Sequence, residues 1–127
     1  MRGEIAAMCA DLFTTCGIPF AQTTEAQRQL LAAFSFGMIF AIGQIQKLSP
    51  PEVHALALTA LMDAFRYADH QAASFAGLLI SASSDKSVHP VFNAVVHRGI
   101  DGHYQWQERH TEDLRKNIQE VFDSVRG

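Results

Sequence analysis

Apolar residues recur along most of the chain at the three- and four-residue spacing of amphipathic helices. This pattern predicts helices over about residues 3–16, 24–47, the segment after Ser49, 71–82, 88–98 and 102–125. The β-branched segment VFNAVV (91–96) could be extended, but its apolar spacing fits a helix better than a strand. At 127 residues the chain has the length of one ordinary domain. We therefore predict an all-α, single-domain bundle over residues 1–127, with about six helices around an apolar central helix.

The second predicted helix is apolar on every side, which is typical of a helix that is buried among its neighbours. Its apolar run LLAAFSFGMIFAI (30–42) is shorter than the roughly 20 residues that a membrane-spanning helix needs, so a buried helix is the preferred interpretation. Gly37 and Gly43 each lower its helix propensity by roughly 1 kcal/mol relative to alanine. Glycine at these positions makes sense if a neighbouring helix packs closely there.

Capping residues mark two helix starts. In SPPE (49–52), Ser49 is the expected N-cap, Pro50 takes the first helical position and Glu52 completes a capping box. Thr24 and Gln27 are expected to form a similar box at the start of the central helix.

The segment VVHRGIDGHYQWQERH (95–110) is the densest polar and aromatic stretch of the chain. Gly99 is expected to end the fifth helix as a left-handed cap residue, and Asp101 to cap the sixth, which makes the segment a helix–turn–helix corner. Extended backwards from Leu114, the buried face of the sixth helix then changes from aliphatic to polar. Tyrosine, tryptophan and arginine are the residue types most enriched at binding hot spots. The candidate partner-binding residues are Arg98, Asp101, His103, Tyr104, Trp106, Gln107 and His110.

A purely structural role for the same corner is an alternative, and the two roles are compatible. Tyr104 and Trp106 could close one end of the bundle, while Arg98 and Asp101 lock the turn.

Charge and cysteine content narrow the class of protein. The net charge of −3 and the lack of a Lys/Arg cluster argue against a nucleic-acid binder and against a membrane-surface protein. Cys9 and Cys16 would lie roughly 10 Å apart in one helix, which is too far for a disulfide. The N-terminal segment has no continuous apolar stretch of the kind found in signal peptides. Reduced thiols and no leader are expected of a cytoplasmic protein.

No enzyme or metal motif emerges from the sequence. It has no HExxH, no close Cys/His ligand pair, no G-x-S-x-G and no glycine-rich phosphate loop. We therefore expect no catalytic residue, no metal and no cofactor. One alternative is a small-ligand or metal-binding helical enzyme that uses His103 and His110, with Asp69 and His70. The other is a homo-oligomeric scaffold, such as a homodimer, whose corner is a self-interface.

The segments SPPEVHALALTALMDAFRYADHQAASFAGLL (49–79) and HPVFNAVVHRGIDGHYQWQ (89–107), after an apolar central helix, carry a family resemblance. Over about residues 30–110 the chain resembles small all-α immunity proteins of bacterial polymorphic-toxin and type VI secretion systems, in particular immunity protein family forty-eight. The resemblance implies a cytoplasmic protein without catalysis of its own. It would bind a cognate toxin domain tightly and block its active site or the approach of its substrate. The mild acidity is compatible with a basic toxin.

Overall fold

The structure is a computed structural model that describes the backbone of residues 2–125 and the side chains of residues 3–125. The described chain forms six α-helices, with a short 3-10 helix, Phe20–Gln22, between the first two. The helices are α1 (Arg2–Cys16), α2 (Glu25–Ile45), α3 (Pro50–Asp63), α4 (Asp69–Ser84), α5 (Pro90–Gln107) and α6 (Thr111–Ser124). No strand occurs within residues 2–125, and VFNAVV lies inside α5, so the predicted all-α class is confirmed.

Helix α2 is the centre of the bundle, as its apolar composition predicts. Every residue from Leu30 to Gly43 is buried except Phe40, and α2 packs against α1, α3, α5 and α6. By length and composition α2 could cross a membrane, since the whole helix has 21 residues. However, 72% of its most apolar window is buried inside the bundle. The neighbouring helices therefore cover the apolar surface of α2.

The most extensive contact between two helices is that of α2 with α5, and glycine makes it possible. A Cβ atom on Gly37 would lie 2.0 Å from the carbonyl oxygen of Val96, and one on Gly99 would lie 2.1 Å from that of Phe34. Both distances are far inside van der Waals contact, and the obstructing atoms belong to backbone, which cannot rotate away. Any side chain at either position would therefore push the two helices apart.

Glycine also permits the contact between α2 and α3. A Cβ atom on Gly43 would lie 2.6 Å from Cγ2 of Val53. The expectation that neighbouring helices pack closely against Gly37 and Gly43 is therefore confirmed.

The predicted boundary between the fifth and sixth helices is wrong. Helix α5 continues through Gly99 and Asp101 to Gln107, and α6 begins at Thr111 instead of at about residue 102. Gly99 lies within the helix, and its lack of a side chain permits the close contact with α2. Asp101 lies inside α5 and is not an N-cap. The turn lies at residues 108–110, where Arg109 has a φ of 61°. Most of the predicted corner, residues 95–107, is therefore part of one long helix, and only residues 108–110 form the turn.

The two predicted capping boxes are confirmed. The backbone N–H of Gln27 donates to Oγ1 of Thr24 at 3.1 Å, and the N–H of Thr24 donates to Oε1 of Gln27 at 2.9 Å. Ser49 and Glu52 exchange the same pair of bonds at 3.3 and 3.0 Å. These bonds satisfy backbone donors that the first turn of a helix leaves without partners. They place the starts of α2 and α3 at Glu25 and Pro50.

The contact between α2 and α5 makes a first prediction. We expect Gly37→Ala and Gly99→Ala each to lower the free energy of unfolding by about 2 kcal/mol or more, because the new methyl group overlaps backbone atoms. Gly77→Ala is the matched control. Gly77 lies in α4 with nothing near its Cβ position, so alanine should raise the free energy of unfolding by up to about 1 kcal/mol.

Urea unfolding of the three variants provides the measurement. Equal stability changes for Gly77→Ala and Gly99→Ala would show that the close approach of α2 and α5 is not what requires glycine.

Candidate partner-binding surface

The predicted partner-binding residues do not form one surface. Six of the seven lie on α5, where successive side chains point about 100° apart. Asp101 and Tyr104 are on the solvent side of the helix, with Tyr104 47% exposed, whereas His103 is only 3% exposed. The remaining residues are divided between the α6 side, the α1 side and the turn before α6: Arg98, Trp106, Gln107 and His110.

Arg98 belongs to a polar cluster that joins α5 to α6. Its Nε donates to Oδ1 of Asn117 at 2.8 Å, and its guanidinium also binds the carboxylate of Glu120. Asn117 is buried, and its side-chain amide donates to the backbone carbonyl of Arg98 at 3.1 Å and to Oε1 of Gln105 at 3.0 Å. Every polar atom of the Asn117 side chain is therefore satisfied inside the interface. This arrangement supports the structural alternative for Arg98.

Asn117 has no place among the sequence-predicted residues, although a signal was available. It stands between Leu114 and Val121 at the spacing of the buried face of α6. A single amide within such an apolar series indicates a buried polar partner, but the sequence does not say which one.

His103 is buried beside the aromatic side chains of α5. Its ring lies 5.4 Å from that of Tyr104 and 6.5 Å from that of Trp106, measured between ring centres. Burial lowers the pKa of His103, and this effect outweighs a hydrogen bond with Gln107 and the negative charge of Glu4, which both act to raise it. Its Nδ1 atom has no hydrogen-bond partner among the described residues. The neutral ring is therefore a packing element beneath the surface, not an exposed contact.

On the α1 side of α5 lies a groove of about 620 Å³ whose lining includes charged and hydroxyl-bearing side chains, here named the Trp106 groove. The indole N–H of Trp106 donates to Oδ2 of Asp11 at 2.8 Å, which joins the end of α5 to α1. The groove combines an aromatic ring, hydroxyl groups and charges of both signs. It is lined by Glu4, Asp11, Thr14, Thr15, Trp106, Gln107, Arg109, Thr111 and Leu114.

The opposite side of α1 forms a second opening of about 670 Å³ against α3, here named the apolar cleft. The space exists because small side chains of the two helices face each other, among them Ala6, Ala10 and Ala60. The ring of Phe13 closes it, with its centre 5.6 Å from that of Phe20. The complete lining is Gly3, Ile5, Ala6, Ala10, Phe13, Phe20, Thr59, Ala60, Asp63, Ala64 and Arg66.

Neither opening is lined by the residues of the alternative enzyme or metal site, which are Asp69, His70, His103 and His110. Among the described residues, no group of three or more His, Cys, Asp or Glu side chains could hold a metal ion. His103 and His110 are not on one helix, because α5 ends at Gln107. Cys9 and Cys16 are free thiols, and burial raises the pKa of Cys9 to about 12, which keeps that thiol protonated. The arrangement can bind through shape, aromatic contact and charge.

The described chain is thus a small all-α bundle with two surface openings on either side of α1. The family model described as Immunity protein 48 matches residues 4–126, nearly the whole chain. The chain therefore belongs to the immunity protein 48 family, which confirms the resemblance and gives it an immunity-protein role. No curated protein and no solved structure is significantly similar to it.

The buried ring of His103 makes a second prediction, on stability against pH. Its folded-state pKa lies below the unfolded value of about 6.5, so as pH falls the unfolded chain takes up the proton first. The stability that the neutral ring contributes is complete above that value and is lost as pH falls below it. We expect the free energy of unfolding to decrease between about pH 7.5 and pH 5.5 more steeply in the natural chain than in His103→Gln.

His97→Gln is the matched control, since His97 is an exposed histidine of the same helix. Chemical unfolding at both pH values measures the slopes. A slope that His97→Gln reduces more than His103→Gln would contradict the assignment to the buried ring.

Proposed function

We propose that the chain neutralises a cognate toxin domain by binding it in the cytoplasm, without catalysis of its own. The observation that carries the proposal is the family match over residues 4–126, since an immunity protein implies a protein toxin as its partner in general. We further propose that the toxin is of the polymorphic-toxin type delivered by type VI secretion. Bound to the toxin, the bundle would block its active site or the approach of its substrate.

We propose the Trp106 groove as a contact surface. Trp106 is partly exposed, is held in place by Asp11 and has a broad aromatic face, and tryptophan is among the residues most enriched at hot spots. Gln107 lines the same groove, and His110 lies in the turn between two lining residues. Of the seven predicted residues, these three fit one surface. Asp101 and Tyr104 line neither opening and are left out of the proposed contact.

Co-expression tests the function. We expect the chain to restore the growth of cells that produce the toxin encoded by the neighbouring gene, and to co-purify with that toxin as a one-to-one complex. Light scattering gives the stoichiometry and also shows whether the chain alone is a dimer, which the scaffold alternative requires. Continued toxicity together with the absence of a complex would reject the proposal.

Substitution of Trp106 tests the surface and makes a third prediction. We expect Trp106→Ala to weaken toxin binding by about 2 kcal/mol or more, as loss of a hot-spot aromatic does. Tyr104→Ala removes an aromatic residue from the solvent side of the same helix and should leave the affinity unchanged. Titration calorimetry with the toxin domain, in an inactivated form, measures both.

Trp106 also packs against the core, so stability needs its own control. Trp106→Phe keeps most of the packing and loses the bond to Asp11. Melting temperatures of all three variants separate lost binding from lost folding. If Tyr104→Ala weakens binding and Trp106→Ala does not, the contact lies on the solvent side of α5.

A further inference from the structure

We infer that the contacting element of the toxin lies across α1, with an apolar side chain in the apolar cleft and a basic side chain in the Trp106 groove. This inference rests on the proposed function and adds the position of the surface and the chemistry of the partner. Its basis is that α1 forms one wall of both openings.

The solvent face of α1 lies between the two openings and carries small, uncharged side chains. Ala7, Ala10 and Thr14 are exposed there, at the three- and four-residue spacing of one helix face. Side chains of this size let the backbone of a partner come close to the helix. Because a helix is about 10 Å across, one partner element can reach the openings on both sides of it.

The apolar cleft is suited to a large apolar side chain. Ala6, Ala10 and Ala60 line it without filling it, and the rings of Phe13 and Phe20 give it an aromatic end. Its charged lining residues are Asp63 and Arg66, and the guanidinium of Arg66 lies over the ring of Phe20. Its volume of about 670 Å³ lies within the range of protein ligand pockets, which is ample for one leucine or aromatic side chain. Such a side chain would be removed from water on association, which is the dominant favourable contribution in most interfaces.

The Trp106 groove favours a cation, because carboxylates outnumber cationic groups in its lining. Glu4 and Asp11 both project from α1, whereas Arg109 is the one basic lining residue. Asp11 uses Oδ2 to bind the indole of Trp106, which leaves Oδ1 as an acceptor. The ring of Trp106 beside these carboxylates can also receive an arginine or lysine through a cation–π contact. The partner side chain that best fits this groove is therefore arginine or lysine.

The experiment measures the affinity of the chain for the inactivated toxin domain encoded by the neighbouring gene. Ala6→Leu and Ala10→Leu fill the cleft from exposed positions, and we expect each to lower the affinity at least tenfold. Ala73→Leu adds the same side chain to an exposed position of α4 and should change the affinity less than twofold. Unchanged melting temperatures show that the variants fold.

The charge of the groove is tested separately with Glu4→Gln and Asp11→Asn. Asparagine keeps an oxygen that can accept the indole N–H of Trp106, so Asp11→Asn removes charge without removing that bond. We expect each variant to bind at least fivefold more weakly and the double variant to show a reduced dependence of affinity on salt. Asp101→Asn removes one carboxylate from the solvent side of α5 and should have no effect.

The outcomes distinguish the inference from the function on which it rests. If the α1 variants bind the toxin normally and Trp106→Ala or Asp101→Asn binds it more weakly, the position across α1 is overturned. The proposed function is retained in that case. Weakening by the alanine-to-leucine variants alone overturns the assignment of a basic side chain. A natural chain that does not bind this toxin overturns both.

Discussion

The backbone contact between α2 and α5 is the constraint on which the rest of the bundle depends. Gly37 and Gly99 bring the two helices so close that a methyl group on either would overlap a carbonyl oxygen of the other helix. Close approach of the two long helices helps to bury residues 30–43 of α2, Phe40 excepted, and hydrophobic burial is the main favourable term in folding. The helix-propensity cost of two glycines, roughly 1 kcal/mol each, is small against that gain.

The same contact decides where the candidate surface lies. Because α5 passes Gly99 as a regular helix, it continues for two further turns and ends beside α1 and α6. Arg98 can then bind Asn117 of α6, and Trp106 can bind Asp11 of α1. A hydrogen bond to a charged group contributes roughly 1.5–3 kcal/mol to stability, and less where it is exposed to solvent. The main effect of these two bonds is geometric, since they fix the side of α5 on which each polar side chain is presented.

How well the sequence predicts a structural feature depends on how local that feature is. Capping boxes at Thr24 and Ser49 and the apolar character of α2 are local signals, and all three were predicted correctly. The predicted helix end at Gly99 is wrong because glycine serves two purposes, to end a helix and to admit a close neighbour. The apolar periodicity does not distinguish these two roles, since Val95 and Val96 precede Gly99 at the same spacing whether the helix ends there or continues. The distinction depends on Phe34, a residue of another helix.

Both openings were beyond sequence reasoning for the same physical reason. The Trp106 groove exists because α1 lies against the end of α5, and the apolar cleft exists because small residues of α1 and α3 face each other. No periodic pattern records which helices are neighbours. The sequence therefore predicts Trp106 and Gln107 as contact residues but not Glu4 and Asp11, which supply the other wall of the groove.

Helix α1 separates the requirements of folding from those of recognition. Ile5, Met8 and Leu12 on its inner face are almost completely buried, whereas Glu4, Ala10 and other residues on its outer side are exposed. Substitutions at exposed positions away from caps and buried contacts usually change stability by less than about 0.5 kcal/mol. The chemistry of the outer face can therefore differ between related chains without loss of the bundle. Under the proposed function, this freedom is what adaptation to one particular toxin requires, and α1 has it between the apolar cleft and the Trp106 groove.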